Sequence, residues 1–333
     1  MPKIMESAHI LQLLCTCQPE NIALAETLAT GLGIDILELL EQEGFFELGI
    51  RTLSDFKPEL WQGDFNYMKV TNLQAIKYFP HLIELNCIYN DLKVLDGIQY
   101  LSNLQYLDCT GNKISDLEPL RDLINLKDLN CSRNQISNLD ALKNSKNLNK
   151  LDCSSNQISN LDILKNLINL GKLNCYDNQI AHLEALQYSY NLQHLNCSCN
   201  QIRDLKPLKP LSNLKDLNCS DNQISNLEGI KHLYNLEYFY CVGNKISDLD
   251  AFTLDNLYNL YVFDCSNNQI SNLDALQSLK NLQALFCDNN QISKLDILKN
   301  LLTLSALYCS NNPIPDAQIQ AFKATHPNCH IMF

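Results

Sequence analysis

A short motif, an apolar residue followed by any residue and a cysteine, recurs along this chain at a nearly constant spacing of 22 residues. An asparagine follows three residues after each of its cysteines. A strict period of this length is typical of a solenoid, in which each repeat stacks on its neighbours. The repeat therefore predicts a stack with long exposed surfaces rather than a single globular core. The cysteines are Cys87, Cys109, Cys131, Cys153, Cys175, Cys197, Cys219, Cys241, Cys265, Cys287 and Cys309.

The start of each repeat alternates apolar and polar residues, which is the pattern of a β-strand with one buried face. In the repeat around Cys131, the sequence predicts that Leu129 and Cys131 point inward. Asp128, Asn130 and Ser132 are predicted to point outward. Each repeat would thus supply one short strand to a parallel sheet.

The second part of each repeat carries apolar residues at every third position, for example Ile136, Leu139 and Leu142. This spacing favours a 3₁₀-like or extended return segment over a full α-helix. The asparagine after the strand, here Asn134, is predicted to bond backbone groups that the turn leaves unpaired. A second asparagine precedes the strand in most repeats, as Asn125 does here.

These residues resemble the signature of the leucine-rich repeat family, with cysteine in place of one leucine. The 22-residue length and the Ile-x-x-Leu-x-x-Leu tail resemble the subclass found in bacterial internalins, over residues 68–312. The resemblance implies an α/β solenoid, a horseshoe with its parallel sheet on the concave face and 3₁₀ or extended segments on the convex face. We see neither a secretion signal nor an immunoglobulin-like segment, so the host-receptor role of internalins is not carried over.

The regions outside the repeats predict caps. Residues 1–66 contain three helical patterns and form a predicted N-terminal helical cap, with a separate interaction module as the alternative. Residues 67–312 form the repeat array, eleven full repeats and a degenerate first one, and residues 313–333 form a C-terminal cap. Trp61 is predicted to pack where the helices join the array. An insertion near Phe252 predicts either a local change of curvature or a small protrusion.

Composition limits the partners and the compartment. The net charge of −12 disfavours nucleic acid, because an acidic surface repels phosphate. No apolar run is long enough for a membrane span. Eleven cysteines at one repeat position would lie about 4.8 Å apart, too far for regular disulfides. We therefore expect free thiols in a reducing, cytoplasmic compartment. Delivery into another cell by a route without a signal is the alternative.

The outward strand positions predict the binding site. In the repeats up to Cys219, the residue before the cysteine is Asn or Asp, and in the later repeats it is Tyr240, Asp264, Phe286 and Tyr308. Exposed aromatic patches usually mark interaction sites. The alternative is that aromatic residues simply favour strands. The predicted partner-binding residues on the concave face are Tyr238, Tyr240, Val262, Asp264, Phe286, Tyr308, Asp216 and Asp128.

Most charged residues at the outward positions are acidic, with a smaller basic group at Arg133, Lys150 and Lys172. An acidic face would steer a basic protein partner, although solubility alone is an equally good explanation. The outward acidic residues are Glu84, Asp108, Asp128, Asp152, Asp177, Asp216, Asp221, Asp264 and Asp288.

Signals for catalysis are weak. Gly31 and Gly33 lack the third glycine of a dinucleotide-binding loop, and no hydrolase, metalloprotease or phosphate-loop motif is present. His194, Cys197 and Cys199 are close in sequence, but alternation places Cys197 inward and the other two outward. We therefore predict no enzyme activity, no cofactor and no metal. The predicted function is a protein-binding scaffold. The alternatives are the recognition subunit of an effector or enzyme system, and a homodimer.

Overall fold

The computed structural model describes residues 2–46, 48, 50, 55–57, 62–252 and 257–333. They fall into two compact units, residues 1–157 and 158–333. The boundaries that we placed at residues 66 and 312 stay predictions. Trp61 lies outside the described residues, and so does the middle of the insertion after Phe252.

The first unit begins with three helices, followed by short parallel strands. The helices are α1 (Pro2–Leu14), α2 (Pro19–Leu32) and α3 (Ile36–Gln42). The strands are β1 (Glu84–Asn86), β2 (Tyr106–Asp108), β3 (Asp128–Asn130) and β4 (Lys150–Asp152), each paired in register with the next. The three predicted N-terminal helices are confirmed.

The second unit continues the same pattern and ends in a helix and a strand. Its strands are β5 (Lys172–Asn174), β6 (His194–Asn196), β7 (Asp216–Asn218), β8 (Tyr238–Tyr240), β9 (Val262–Asp264), β10 (Ala284–Phe286), β11 (Ala306–Tyr308) and β12 (His330–Met332). Helix α4 (Asp316–Thr325) precedes β12. Each strand pairs parallel to the next in chain order, and β12 covers the edge of β11 as predicted.

A 3₁₀ segment follows each strand from β1 to β10 and returns the chain to the next one, and another precedes β1. The apolar residues at every third position are buried there, as Leu139 and Leu142 illustrate. The predicted 3₁₀ return is therefore confirmed. The segments are Gln74–Tyr78, Ile98–Tyr100, Glu118–Leu120, Asp140–Asn144, Asp162–Asn166, Glu184–Tyr188, Lys206–Leu208, Glu228–Ile230, Asp250–Phe252, Asp274–Ser278 and Asp296–Asn300.

The asparagine after each strand bonds backbone groups of its own and the preceding repeat. The amide nitrogen Nδ2 of Asn222 donates to the carbonyls of Cys197 and Cys219, both at 3.1 Å. Its oxygen Oδ1 accepts from the backbone N–H of Ile202 at 2.8 Å. Nδ2 also donates to the carbonyl of Ser220 at 3.0 Å. One buried side chain thus bonds four backbone groups where the chain turns, which confirms the predicted role.

The second asparagine lies on the surface and makes a single cross-repeat bond. Asn213 Nδ2 donates to the carbonyl of Tyr190 at 2.8 Å. In the last repeat Thr303 stands at this position, and its hydroxyl donates to the equivalent carbonyl of Lys280 at 2.7 Å. A hydroxyl therefore replaces the amide without loss of the contact.

The backbone adopts positive φ two residues after every cysteine of the repeat. This position immediately precedes the buried asparagine, and Asn, Asp or Gly occupies most copies because these residues tolerate the left-handed conformation best. Tyr89, Arg133, Ser155 and Cys199 adopt it too, with φ between 50° and 55°. We did not predict this conformation from the sequence, although the recurrence of Asn, Asp and Gly at this position indicates it.

Several local expectations are corrected. Helix α2 leaves the apolar side chain of Leu24 exposed. That helix continues to Leu32, and Gly33 ends it in a left-handed conformation with φ 64°. Ser132 was predicted to point outward, but it is buried and its Oγ donates to Asn130 Oδ1 at 2.7 Å. Phe252 does not protrude: it is buried against Phe263, with ring centroids 5.0 Å apart.

None of the fifteen cysteines forms a disulfide, and the eleven at the repeat position are buried as predicted. Several of their thiols donate to the carbonyl of the residue before the next cysteine, as Cys219 does to Tyr240 at 3.5 Å. Burial raises the pKa of the Cys197 and Cys241 thiols well above the ordinary value. Cys199 and Cys329 are partly exposed. No helix in the described ranges has the length and apolar character needed to cross a membrane.

The two asparagine positions should differ in their contribution to stability. Asn222→Ala removes the hydrogen bonds of this side chain in a buried turn and leaves the N–H of Ile202 without its acceptor, and we expect it to lower the free energy of unfolding by about 2–3 kcal/mol. Asn213→Ala removes one exposed bond, so we expect a loss of about 0.5–1 kcal/mol. Urea denaturation followed by circular dichroism measures both. Equal losses would contradict the assigned role of the buried amide.

The burial of the thiols predicts their reactivity. Under native conditions iodoacetamide should modify Cys199 and Cys329 first, because the thiolate is the reactive form and burial opposes its formation elsewhere. Intact-mass spectrometry should show at most two rapid additions, and fifteen after denaturation. Rapid native labelling of Cys219 would show that the stack opens or is packed differently.

Candidate protein-binding face

The strand register aligns outward side chains into two columns in the second unit. The third strand residues form the first column, in the order Asn218, Tyr240, Asp264, Phe286, Tyr308 and Met332. The first strand residues form the other column, in the order Asp216, Tyr238, Val262, Ala284, Ala306 and His330. Because the period is constant, residues one repeat apart in sequence become direct neighbours. We call Tyr238, Tyr240, Val262, Phe286 and Tyr308 the aromatic face.

The structure brings the predicted aromatic side chains together on the outer side of the sheet. Tyr238 is 39% exposed, and Tyr240, Phe286 and Tyr308 are half-buried. The rings of Phe286 and Tyr308 stack with centroids 4.8 Å apart and planes inclined by 23°. Val262 lies between Tyr238 and the smaller Ala284. The result is an ordered apolar surface that remains accessible from solvent.

The aromatic residues replace side chains that cap the ends of the strands. In earlier repeats the Asn or Asp at this position accepts a bond from the backbone N–H two residues on, as Asn218 does from Ser220 at 3.0 Å. Tyr240 and Phe286 cannot accept this bond at that place. Neighbouring repeats compensate in part, since the N–H of Val242 donates to Ser220 Oγ at 3.2 Å. The aromatic substitutions therefore remove a local stabilising bond.

Asp264 is the one acidic residue between aromatic neighbours. Tyr240 and Phe286 flank it on the adjacent strands. Its Oδ1 accepts from the backbone N–H of Ser266 at 3.0 Å, and besides Ser266 no described residue donates a hydrogen bond to this carboxylate. Burial raises the pKa of Asp264, and the nearby charge of Asp288 adds to the effect.

Asp216 lies at the border of the aromatic face, next to Tyr238. Burial raises the pKa of its carboxyl group, while His194, with Nδ1 3.8 Å away, opposes the shift. Burial also raises the pKa of Tyr240, helped by the negative charges of Asp216 and Asp264. The hydroxyl therefore stays protonated and remains a hydrogen-bond donor at neutral pH.

Asp128, also predicted as a partner-binding residue, belongs to the first unit. Its Oδ2 accepts from Nζ of Lys150 at 2.9 Å, so its charge is balanced by an internal ion pair. Lys150 was itself part of the predicted basic group. The structure brings these two side chains to each other.

The other candidate for a metal or catalytic site lies around His194 and Cys199. As expected, its residues are separated between the buried and the exposed sides of the repeat. Cys197 is buried, whereas the partly exposed Cys199 thiol donates to Asp221 Oδ2 at 3.7 Å. Burial raises the pKa of Cys199, which opposes formation of a nucleophilic thiolate. In the part of the chain that the structure describes, no group of three His, Cys, Asp or Glu side chains is arranged to hold a metal ion.

A second exposed column lies just before the strands, and our sequence analysis missed it. Its members immediately precede the outer asparagine or threonine of their own repeat. The outer asparagine of the next repeat donates to the carbonyl of Ile168, Tyr190, Tyr234 and Tyr258. The sequence does indicate this column, because a large apolar residue recurs at that position. We call this set the flank column: Ile168, Tyr190, Tyr234, Tyr258 and Leu302, with exposed fractions from 40% to 81%.

Comparison with known proteins gives one matching family. The family model described as "Leucine Rich repeats (2 copies)" matches residues 80–122, 102–144, 190–232, 234–278 and 259–300, together more than half of the chain. No curated protein sequence matches the chain.

Similar solved structures include internalins of Listeria monocytogenes. Internalin InlF is 28% identical with a TM-score of 0.65, over 77% of this chain and 84% of its own. The functional domain of InlJ, described as including a cysteine ladder, is 26% identical with a TM-score of 0.58, over 71% of this chain and 55% of its own. Internalin C2 is 28% identical with a TM-score of 0.54, over 60% of this chain and 92% of its own.

Asp264→Asn should preserve or increase stability at neutral pH. Asparagine makes the same cap in other repeats, as at Asn218, and it carries no buried charge. Since the folded pKa of Asp264 lies above its unfolded value, its ionisation disfavours folding, and this effect is lost as pH falls below the unfolded pKa of about 3.9. Thermal unfolding from pH 7 to pH 3 should therefore show an advantage of the variant at neutral pH that shrinks in acid. A constant loss of stability at every pH would contradict the inferred desolvation.

Proposed function

The chain belongs to the leucine-rich repeat family, and on this premise we propose that it is a protein-binding scaffold without catalytic activity of its own. We place the bound protein on the solvent-exposed face of β8–β12, which carries the aromatic face. We take this side of the sheet to be the concave side of the solenoid. The observation that carries the proposal is the aromatic face. Its aromatic side chains stand where other repeats have residues that cap the turn, and this exchange does not favour folding.

The stability argument separates function from strand preference. Elsewhere Asn or Asp at the third strand position caps the turn, as in Asn130, Asp152 and Asn196. Tyr240, Phe286 and Tyr308 give up that bond and leave apolar surface in water, which opposes folding. At Tyr240 and Tyr308 the preceding repeat supplies another acceptor for the N–H, Ser220 Oγ for Val242 and Asp288 Oδ1 for Ser310. A solenoid has no folding reason to accept them in one region only. Binding supplies a reason, since aromatic anchors dominate the energetics of protein interfaces.

The charge of the protein supports a basic partner. The net charge is −12, and Asp216, Asp264 and Asp288 lie at or next to the aromatic face. Acidic groups around an apolar patch accelerate encounter with a basic surface and disfavour acidic competitors. Because the attraction is screened by ions, we expect the association rate to fall as the salt concentration rises.

The buried thiols support a reducing compartment. Eleven cysteines pack as small apolar side chains, and each occupies a place where an oxidised or bridged sulfur would disturb the stack. We therefore place the protein in the cytoplasm of its own cell or, after delivery, in that of another cell. Acting as the recognition subunit of an effector or enzyme system is compatible with either place.

Alanine substitution in the aromatic face tests the site. Tyr240→Ala or Phe286→Ala should each weaken binding by about 2 kcal/mol, roughly thirtyfold, by removing a partly buried anchor. The variant Tyr240→Ala/Phe286→Ala/Tyr308→Ala should lose the partner in affinity capture from cell lysates, followed by quantitative mass spectrometry. Circular dichroism and thermal unfolding confirm that the variants fold.

The flank column provides the matched control. Tyr234→Ala/Tyr258→Ala removes two exposed tyrosines from the same unit but leaves the aromatic face intact. Retention of the partner by this control, with loss in the aromatic-face variant, supports the proposal. The reverse result would move the binding surface to the flank column. Light scattering over a range of concentrations identifies self-association, which would favour a homodimer instead.

A further inference from the structure

The aromatic face contains a gap one side chain wide. Phe286 and Tyr308 lie on adjacent strands and stack directly on each other. Tyr240 and Phe286 lie two strands apart, with the short Asp264 between them. Two strand spacings measure about 9.6 Å. A flat group in van der Waals contact with a ring on each side needs about 7–8 Å. The column position of Asp264, which lacks a ring, therefore has room for one planar group between Tyr240 and Phe286.

The carboxylate of Asp264 lies at the bottom of this gap, and little within the protein balances its negative charge. At the equivalent position of β2, Asp108 Oδ2 accepts a bond from Nδ2 of Asn130 on the next strand, at 3.0 Å. In β9 the corresponding neighbour of Asp264 is Phe286, which has no donor. Among the described residues no lysine or arginine forms an ion pair with Asp264, whereas Asp128 is paired with Lys150.

The strands around the gap carry no positive residue that could fill it. From β8 to β11 the outward strand residues are tyrosine, valine, alanine, phenylalanine and Asp264, and the two residues after each cysteine are Val, Gly, Ser, Asn or Asp. The gap thus combines a half-buried carboxylate with aromatic side chains on both sides. Desolvated carboxylates are stabilised by charge-assisted hydrogen bonds, and aromatic ring faces attract cations.

We propose that the gap between Tyr240 and Phe286 receives an arginine side chain of the bound protein, with its guanidinium group bonded to Asp264. This inference rests on the proposed function and specifies the chemistry of the partner. Arginine fits better than lysine because its guanidinium is flat, stacks on aromatic rings and offers paired donors to a carboxylate. Phe286 stacks on Tyr308 of β11 and lies next to Asp264 of β9 on the other side, so the guanidinium would pack on the face turned toward β9.

Asp264 is suited to a test because its charge and its cap can be separated. Asp264→Asn keeps an oxygen that accepts from Ser266 N–H and removes only the charge. Asp152→Asn is the matched control: Asp152 makes the same cap with Ser154, at 3.0 Å, in the first unit. Both variants lower the net negative charge by one, so a difference between them reports the site and not general steering.

The probe is a phage-displayed library of short randomised peptides, selected on the immobilised full chain. Enriched peptides are synthesised and measured by isothermal titration calorimetry with the wild-type chain, Asp264→Asn, Asp152→Asn and Tyr240→Ala/Phe286→Ala. For each peptide, citrulline replaces one arginine at a time, which keeps the shape and removes the charge. Lysine replaces the same arginine in a second series.

We expect the enriched peptides to share one arginine whose replacement by citrulline weakens binding to the wild-type chain at least about tenfold. The same replacement should have little further effect on Asp264→Asn, as expected for two groups that interact directly. Asp152→Asn should bind like the wild-type chain, and lysine should restore only part of the affinity.

Two other results are distinguishable. Peptides that require the aromatic pair but tolerate both Asp264→Asn and citrulline overturn the arginine site and leave the proposed function standing. Peptides that bind Tyr240→Ala/Phe286→Ala as well as the wild-type chain, or a selection that enriches no sequence, overturn the aromatic face as the binding site and the arginine site with it.

Discussion

The architecture depends on one buried or half-buried amide in each repeat. The carbonyl of Cys197 accepts from the asparagine of its own repeat, Asn200, and from that of the next repeat, Asn222. Each asparagine also accepts from a backbone N–H of the preceding repeat, as Asn200 does from Ile180. Only a short amide offers two donors and an acceptor in so small a volume. The amide therefore joins adjacent repeats at the point where the backbone leaves the strand and would otherwise be unpaired.

This constraint fixes the register of the strands and so the positions of the outward side chains. Once the turn is held, residues one period apart are neighbours, and any change along a column appears directly on the surface. The buried leucine and cysteine positions leave little freedom, while the first and third strand positions are open. The replacement of capping Asn or Asp by Tyr240, Phe286 and Tyr308 is informative for that reason, because it opposes the local stability that the other repeats preserve.

The charges follow the same logic, but they act through their surroundings. Asp128 and Asp264 occupy outward strand positions and carry the same charge, yet Asp128 is balanced by Lys150 and Asp264 is not. A solvated ion pair contributes little to binding or to stability. A half-buried carboxylate beside aromatic rings favours a positively charged ligand. The acidic composition by itself does not distinguish the two cases.

The sequence by itself determined the repeat, the strand and 3₁₀ segments, the buried leucines and cysteines, the role of the asparagines and the outward direction of the aromatic residues. It could do so because the same local pattern recurs in each repeat. Apolar residues at every second position of the strand and every third position of the return segment mark the buried side chains. The tertiary structure alone decided the burial of Ser132 and Phe252, the pairing of Asp128 with Lys150 and the gap at Asp264. The flank column and the left-handed turn position were visible in the sequence, but they became interpretable only with exposure and φ. These features arise between residues a full period apart, whose distance and solvent access are set when adjacent strands pair.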